Sequence, residues 1–272
     1  MVKSKVNPKI TSAKSLIEKR STNYDMSFDQ KKYLILLACF LRTYLINSVF
    51  NLKGLQSIGF LYALDPGLKQ LYPDSKALNQ ARRRYLTPYN CNYFFLPLLI
   101  GLFLHCEQLM CNQQLSVQQY QTLKATTIST LSAIGDSFFS GSLIPCWSLC
   151  AALLISLGWY NFLIFFIVFS VLFFQLVRLY FFYLGYTKGL LIVVQLKKWN
   201  LINWGQYLKF LNLGLILSFV LLNLPLGFGH LWDYVFILVS FVLIIGLERY
   251  FDLRKVGLLL LLFWIGLKLL FK

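Results

Sequence analysis

Leu131-Ser-Ala-Ile-Gly-Asp-Ser-Phe-Phe-Ser-Gly141 decides how this chain is read. It is a small, polar run with glycine at 135 and 141. Two long apolar segments follow it, at about 143–157 and 162–183, and the stretch that began at Lys124 closes on Leu184-Gly-Tyr-Thr-Lys-Gly189. Asp136 is the anomaly. A charged side chain at mid-bilayer costs about 2.5–3.5 kcal/mol on insertion scales. It persists there only if it is paired, faces water or serves a pathway. The rest of the chain is scaffolding around this polar break.

Working outward, composition agrees. Of 272 residues, 58% are hydrophobic and 13% charged, with a mean hydropathy of +0.63. A soluble domain carries about 25% charged residues, so this is a membrane chain. The net charge of +16 is spread over short connecting segments and the N-terminal tail. That is how a multispanning protein holds its cytosolic side, and it does not indicate nucleic acid. Six cysteines stand at 39, 91, 106, 111, 146 and 150 without any C-x-x-C, which reads as buried free thiols. With two histidines and no Cys/His cluster, no metal site and no cofactor are expected. Gly-rich phosphate loops, H-E-x-x-H and G-x-S-x-G are all missing, so no catalytic residue is assigned.

Residues 1–30 are lysine-rich and lack the apolar core of a signal peptide, which predicts a cytosolic basic tail. The expected architecture is all-α. It is a polytopic membrane domain over 31–272, with re-entrant or broken helices in the N-terminal half and a C-terminal helical bundle. Apolar sequence begins at Tyr33. Thr43, Asn47 and Asn51 are spaced four apart, which places them on one helix face. Two readings are open: amides that glue helices together, or the polar lining of a solute path. Breaks are expected at Gly54 and Gly59, with Gln56 between, and Pro66, Gly67 and Pro73 are expected to end the next piece. Tyr93–Leu104 is too short to span, since a span needs about 20 residues, and reads as a re-entrant or buried helix. His105 and Glu107 follow it, as a capping or interfacial pair or as a proton relay. Lys76, Arg82, Arg83 and Arg84 form a basic run, either a solvated loop or a docking surface for an acidic partner. Further segments are expected at about 208–224, 232–247 and 256–271. A charged loop at 248–255 is placed in the cytosol and a link at 225–231 outside.

The order of these pieces resembles the enzyme IID subunit of the mannose/fructose/sorbose-type sugar phosphotransferase system. Leu41-Arg42-Thr43, then Asn47 and Asn51, then Gln56 and Gly59 resemble its L-R-S, Q, N-Y-E-R-M-Q-x-x-G series. Pro66, Leu68, Leu71 and Tyr72 resemble its P-x-L-x-x-L-Y. Leu131–Gly141, with Leu143 and Pro145, resembles L-A-G-I-G-D-x-x-x-x-G and its continuation; Tyr180–Gly189 resembles G-L-x-x-G-Y-x-x-G. The resemblance runs from about residue 34 to 272. Departures fall in the polar shell. Leu52-Lys53-Gly54 stands where the family has Y-E-R, and Tyr89-Asn-Cys-Asn-Tyr93 stands where it has F-N-T-H-P.

The resemblance implies a non-catalytic permease subunit in the bacterial inner membrane. It would be multi-pass, with a cytosolic N-terminus. It would form the translocation unit with a IIC subunit, inside an oligomeric complex served by soluble IIA and IIB units. Those units carry the phosphorylated histidine, so His105 and His230 are not given that role. The implied solute is a hexose-type sugar. On this reading the bends at Asn47–Gly59 and Gly135–Gly141 face each other. Phe50 stacks on a sugar face, and Asn51, Gln56, Asn90 and Asn92 meet hydroxyls. Asp136 accepts from a hydroxyl or bonds backbone N–H groups to hold its loop. Its glycine neighbours favour the second role. Gly59, Gly135, Gly141, Gly185 and Gly189 are expected to be structural. Two other classes stay open: a non-transporting descendant of the family, or a membrane enzyme acting on a lipid-linked substrate.

Overall fold

The computed structural model describes residues 30–223 and two isolated positions, 235 and 239. The basic tail and the expected features beyond 223 lie outside the described residues. Nine helices occupy the described part. They are α1 (Gln30–Val49), α2 (Ser57–Leu71), α3 (Ser75–Arg83), α4 (Leu96–Cys111), α5 (Val117–Gly135), α6 (Ile144–Ser156), α7 (Tyr160–Lys188), α8 (Leu191–Trp199) and α9 (Leu201–Asn223). Among the described residues, four continuous stretches are long and apolar enough to cross a membrane: Gln30–Val49, Val117–Ser156, Tyr160–Lys188 and Leu191–Asn223. The outer face of α7 carries Phe165, Phe169 and Phe173, each exposed and stacked on the next. A ridge of this kind is stable only in lipid or against a partner.

α4 is the hub. Its 16 residues give about 24 Å, short of the roughly 30 Å hydrocarbon core. Eleven of them are buried, from Leu96 to Glu107, as expected of a helix that is apolar all round. It packs chiefly on α7, where Gly101 and Gly185 let the two backbones close on each other. The reading of 93–104 as a buried short helix therefore holds, with its helical part shifted to Leu96–Cys111.

Three expectations about breaks need correction. Pro66 does not end a helix but lies inside α2. A proline there frees the carbonyl four residues back. That carbonyl, Tyr62 O, accepts from Arg42 Nη1 at 3.1 Å, so the lost bond is replaced. Likewise, the run 131–141 is no gap between helices. α5 continues into α6 through a π-helical segment, Asp136–Leu143. Pro145, at the start of α6, would clash with the carbonyl of Gly141 in a tight α-turn, and the wider π turn relieves this. Ser142 Oγ donates to Ser137 O at 2.9 Å across the widened turn, and Asn212 of α9 donates to Ser142 O at 2.9 Å. The third correction concerns Thr43, Asn47 and Asn51, which do not share one helix face. The last seven residues of α1, Thr43–Val49, wind as a 3₁₀ helix, and Asn51 lies in the turn beyond.

Candidate functional site

Three segments meet where α1, α4 and α5 converge. The first is the turn after α1. Asn51 Oδ1 accepts from the N–H groups of Lys53 (3.1 Å) and Gly54 (2.7 Å), and its backbone pairs with Leu55 in both directions. The second is the loop 89–92. Gln56, 4% exposed, clamps that loop: its Oε1 accepts from Cys91 N at 2.7 Å and its Nε2 donates to Cys91 O at 3.0 Å. The same Nε2 donates to Asn47 Oδ1 at 2.8 Å. The third is the start of the π segment. Asn92 Nδ2 donates to Asp136 Oδ1 at 2.9 Å and to Ser140 Oγ at 3.0 Å. Asn92 lies so close to Gly135 that a Cβ added there would overlap it.

The two bends are thus joined, but through the 89–92 loop rather than face to face. The Asp136 carboxylate accepts from the Asn92 amide and from Ser132 Oγ at 3.3 Å. This corrects the expectation of backbone partners. In a continuous helix the local N–H groups are already bonded to carbonyls one turn back. Asn51 likewise spends its amide oxygen on the turn, and Gln56 its whole side-chain amide on the loop and Asn47. Phe50 is half exposed and stands outside the cavity described next. His105 and Glu107 do not pair: His105 Nδ1 bonds Tyr186 O at 2.8 Å. Gly189, with φ of +52°, lies against the His105 ring.

Asp136 and Asn90 open onto a groove of about 980 Å³ between the α3–α4 connection and α5. Ser129 and Ser132 line its length, and Arg83, Arg84 and Lys124 line its head. That head is built on a buried charge network the sequence did not reveal. Glu107, 0% exposed, accepts from Arg84 (2.5 Å), Tyr72 (2.7 Å) and Tyr85 (2.7 Å). Burial pushes the Tyr72 and Tyr85 phenols well up, so both stay neutral donors to the carboxylate. Lys124 Nζ donates to Arg84 O and to Thr87 Oγ1 (3.1 Å), with its charge over the Tyr85 and Tyr89 rings at 5.0 and 5.7 Å. Arg82 pairs with Asp65 at 2.6 Å. Burial acts to raise the Asp65 carboxyl, but Lys69 and Arg82 outweigh it and hold it below the usual carboxylate range. The basic run is therefore only partly a solvated surface.

Arg178 is a residue the sequence reading did not single out. It is 1% exposed within the apolar α7, between the rings of Tyr44 (4.1 Å) and Tyr93 (3.8 Å), and donates to Thr43 Oγ1 at 3.1 Å. Its Nε and Nη1 have no partner among the described residues. The signal was present: an arginine inside a 29-residue apolar helix whose other cation is the terminal Lys188 marks a special position. Two aromatic faces offset part of the burial cost, each contributing about 2 kcal/mol when desolvated. Arg178→Met is expected to raise the thermal midpoint in detergent, because the orphaned donors go. Arg178→Lys is expected to lower it, because an ammonium cannot lie flat against two rings. A fall with Met would show that the guanidinium is a net stabiliser.

Comparison with known proteins decides the family. The family model described as "PTS system mannose/fructose/sorbose family IID component" matches residues 31–250. The chain belongs to this family. Among its curated IID relatives, the mannose-specific EIID component of Escherichia coli K12 is 30% identical over 157 residues, 57% of this chain and 55% of that protein. The sorbose-specific EIID component of Klebsiella pneumoniae is 28% identical over 160 residues, 58% of each chain. The chain thus spans little more than half the length of the curated IID proteins it matches. Two solved structures are similar. One, described only as a membrane protein, superposes with a TM-score of 0.59 at 25% identity, covering 68% of this chain and 69% of that one. The other is the mannose transporter ManYZ in complex with microcin E492, with a TM-score of 0.51 at 26% identity, covering 67% and 69%. The Leu131–Gly141 and Tyr180–Gly189 motifs of this IID chain lie within the matched residues.

Proposed function

We propose that this chain is the D subunit of a sugar permease of the phosphotransferase system. It builds the translocation unit with a IIC membrane subunit, and soluble IIA and IIB units supply the phosphoryl group. Its N-terminus lies in the cytosol of a bacterial cell, and its solute is a hexose-type sugar. The observation that carries this reading is the Asn92–Asp136–Ser140 knot, whose Asp136 faces a groove that also presents the Asn90 amide and the Ser129 and Ser132 hydroxyls.

A hexose leaving water loses hydration at every hydroxyl, and each unreplaced hydrogen bond costs about 1–3 kcal/mol. Replacement needs acceptors held still. Asp136 gives one lone pair to Asn92 and one to Ser132, and an ionised carboxylate has about four. The remaining pairs serve sugar hydroxyls, with Asn90 on the opposite wall. Gln56 and Asn51 act as positioning residues, because they fix the loop that presents Asn90 and Asn92.

The test is phosphoenolpyruvate-dependent uptake of labelled mannose in cells carrying this chain with its IIC, IIA and IIB partners. Asp136→Asn and Asn92→Ala are each expected to lower uptake about tenfold, in line with one lost charge-assisted bond, while membrane insertion persists. Normal uptake in both variants would remove the groove from the path. A wild-type chain that inserts and assembles but gives no uptake would instead support a non-transporting subunit. Lys53, and Asn92-Tyr93 where the family has His-Pro, favour that second reading.

A further inference from the structure

We propose that the head of the groove binds a phosphomonoester, with the phosphate on Arg83 and Lys124 and a polyhydroxy tail running along Ser129 and Ser132. This deepens the sugar-groove reading and rests on it. The argument starts from charge. Three cations stand at the head, and only one is neutralised. Arg84 is held by Glu107, and the neighbouring Arg82 by Asp65. Arg83 is exposed, and neither it nor Lys124 has an acidic partner among the described residues.

Lys124 is also fixed in place before any ligand arrives. It is nearly buried, donates to Arg84 O and Thr87 Oγ1, and sits over two tyrosine rings. An ammonium has three donors, so one is left for a ligand. A cation held this way loses little entropy on binding an anion.

Spacing then selects the anion. Asp136 is the acidic residue that lines the groove, and it lies twelve residues past Lys124, just beyond the end of α5. At 1.5 Å per residue that is about 18 Å, too far to neutralise the head. Ser129, at about 7.5 Å along the same axis, falls within the length of a hexose phosphate, and Ser132, at about 12 Å, lies a hydrogen bond's reach past its far end. Gln80 and Gln121 add neutral donors beside the cations. A bare phosphate would leave the serine row unused. An acyl chain would pass Ile128 and Ala133 but leave the Ser129 and Ser132 hydroxyls without partners, so a soluble phosphomonoester fits better than a lipid headgroup.

The experiment uses the full chain with its membrane partner, in nanodiscs of neutral phosphatidylcholine. Binding of mannose 6-phosphate, mannose and inorganic phosphate is measured by calorimetry. Mannose 6-phosphate is expected to bind about tenfold tighter than either of the others, one charge-assisted contact's worth. Arg83→Gln, at an exposed position, should remove that advantage and leave mannose affinity unchanged. Ser132→Ala should weaken both sugar ligands. Equal affinity for inorganic phosphate and mannose 6-phosphate would reduce the head to a simple anion site and overturn the proposal. So would an unaltered advantage in Arg83→Gln, or its loss when phosphatidylglycerol replaces part of the neutral lipid. Mannose binding without any advantage for its phosphate would sink this proposal and leave the sugar groove standing. Binding of neither sugar would sink both.

Discussion

Glu107→Ala is expected to lower the thermal midpoint of this protein by on the order of 10 °C in detergent, the largest effect of any polar substitution in α4. Glu107 is 0% exposed and accepts four hydrogen bonds from Arg84, Tyr72 and Tyr85. Removing it leaves the Arg84 guanidinium, 14% exposed, with no counter-charge. Breaking a buried pair from one side costs about 3–5 kcal/mol, because the remaining charge stays desolvated. The tyrosine pair Tyr85–Tyr120 loses its anchor as well. Glu107→Ala with Arg84→Met should recover part of the loss, since no lone charge is then buried. A double variant no better than Glu107→Ala would show that packing, and not charge, sets the cost. Uptake is expected to fall with stability, because Lys124 and the groove head are tied to Arg84 O.

The second large effect is steric. A Cβ at Gly185 would overlap Leu98 O and lie 2.9 Å from Leu102 N. A Cβ at Gly101 would overlap Phe182 O and lie 2.8 Å from Tyr186 N. In both cases the obstacle is backbone, which cannot rotate aside as a side chain does. Overpacking a core usually costs about 1–3 kcal/mol, and this contact belongs at or above the top of that range. Gly185→Val is therefore expected to abolish recovery of monodisperse protein after solubilisation. Gly101→Val should do the same. Combined, they should cost less than their sum, because the first variant has already parted α4 from α7. Single variants with wild-type yield and midpoint would mean that the two helices separate freely.

Much of the fold was legible because membrane helices are written in length and apolarity. α7 and the second half of α9 follow from long, mainly apolar runs, and α4 from a run too short to span. The breaks were harder. Pro66 looked like a terminator, and only Arg42, twenty-four residues earlier, makes it tolerable inside α2 by donating to Tyr62 O. A π turn has no composition of its own, so Asp136–Leu143 looked like a loop. Of the site, Asn92 and Asp136 were both singled out, but their mutual bond crosses forty-four positions and needs the fold to bring them together. Glu107 was seen beside His105 because they are neighbours in sequence. On a helix, residues two apart point away from each other, and each found its partner elsewhere. Glu107 met Arg84, and His105 met the carbonyl of Tyr186.

The shortness of α4 bears on how the chain is made. A 16-residue apolar helix emerges from the ribosome well before α7, the element it mainly rests on, and it cannot cross the bilayer meanwhile. Nascent chains released after residue 158 would hold α4 without its bed. Such fragments should remain substrates for quality-control proteases, whereas fragments extending past Lys188 should escape them.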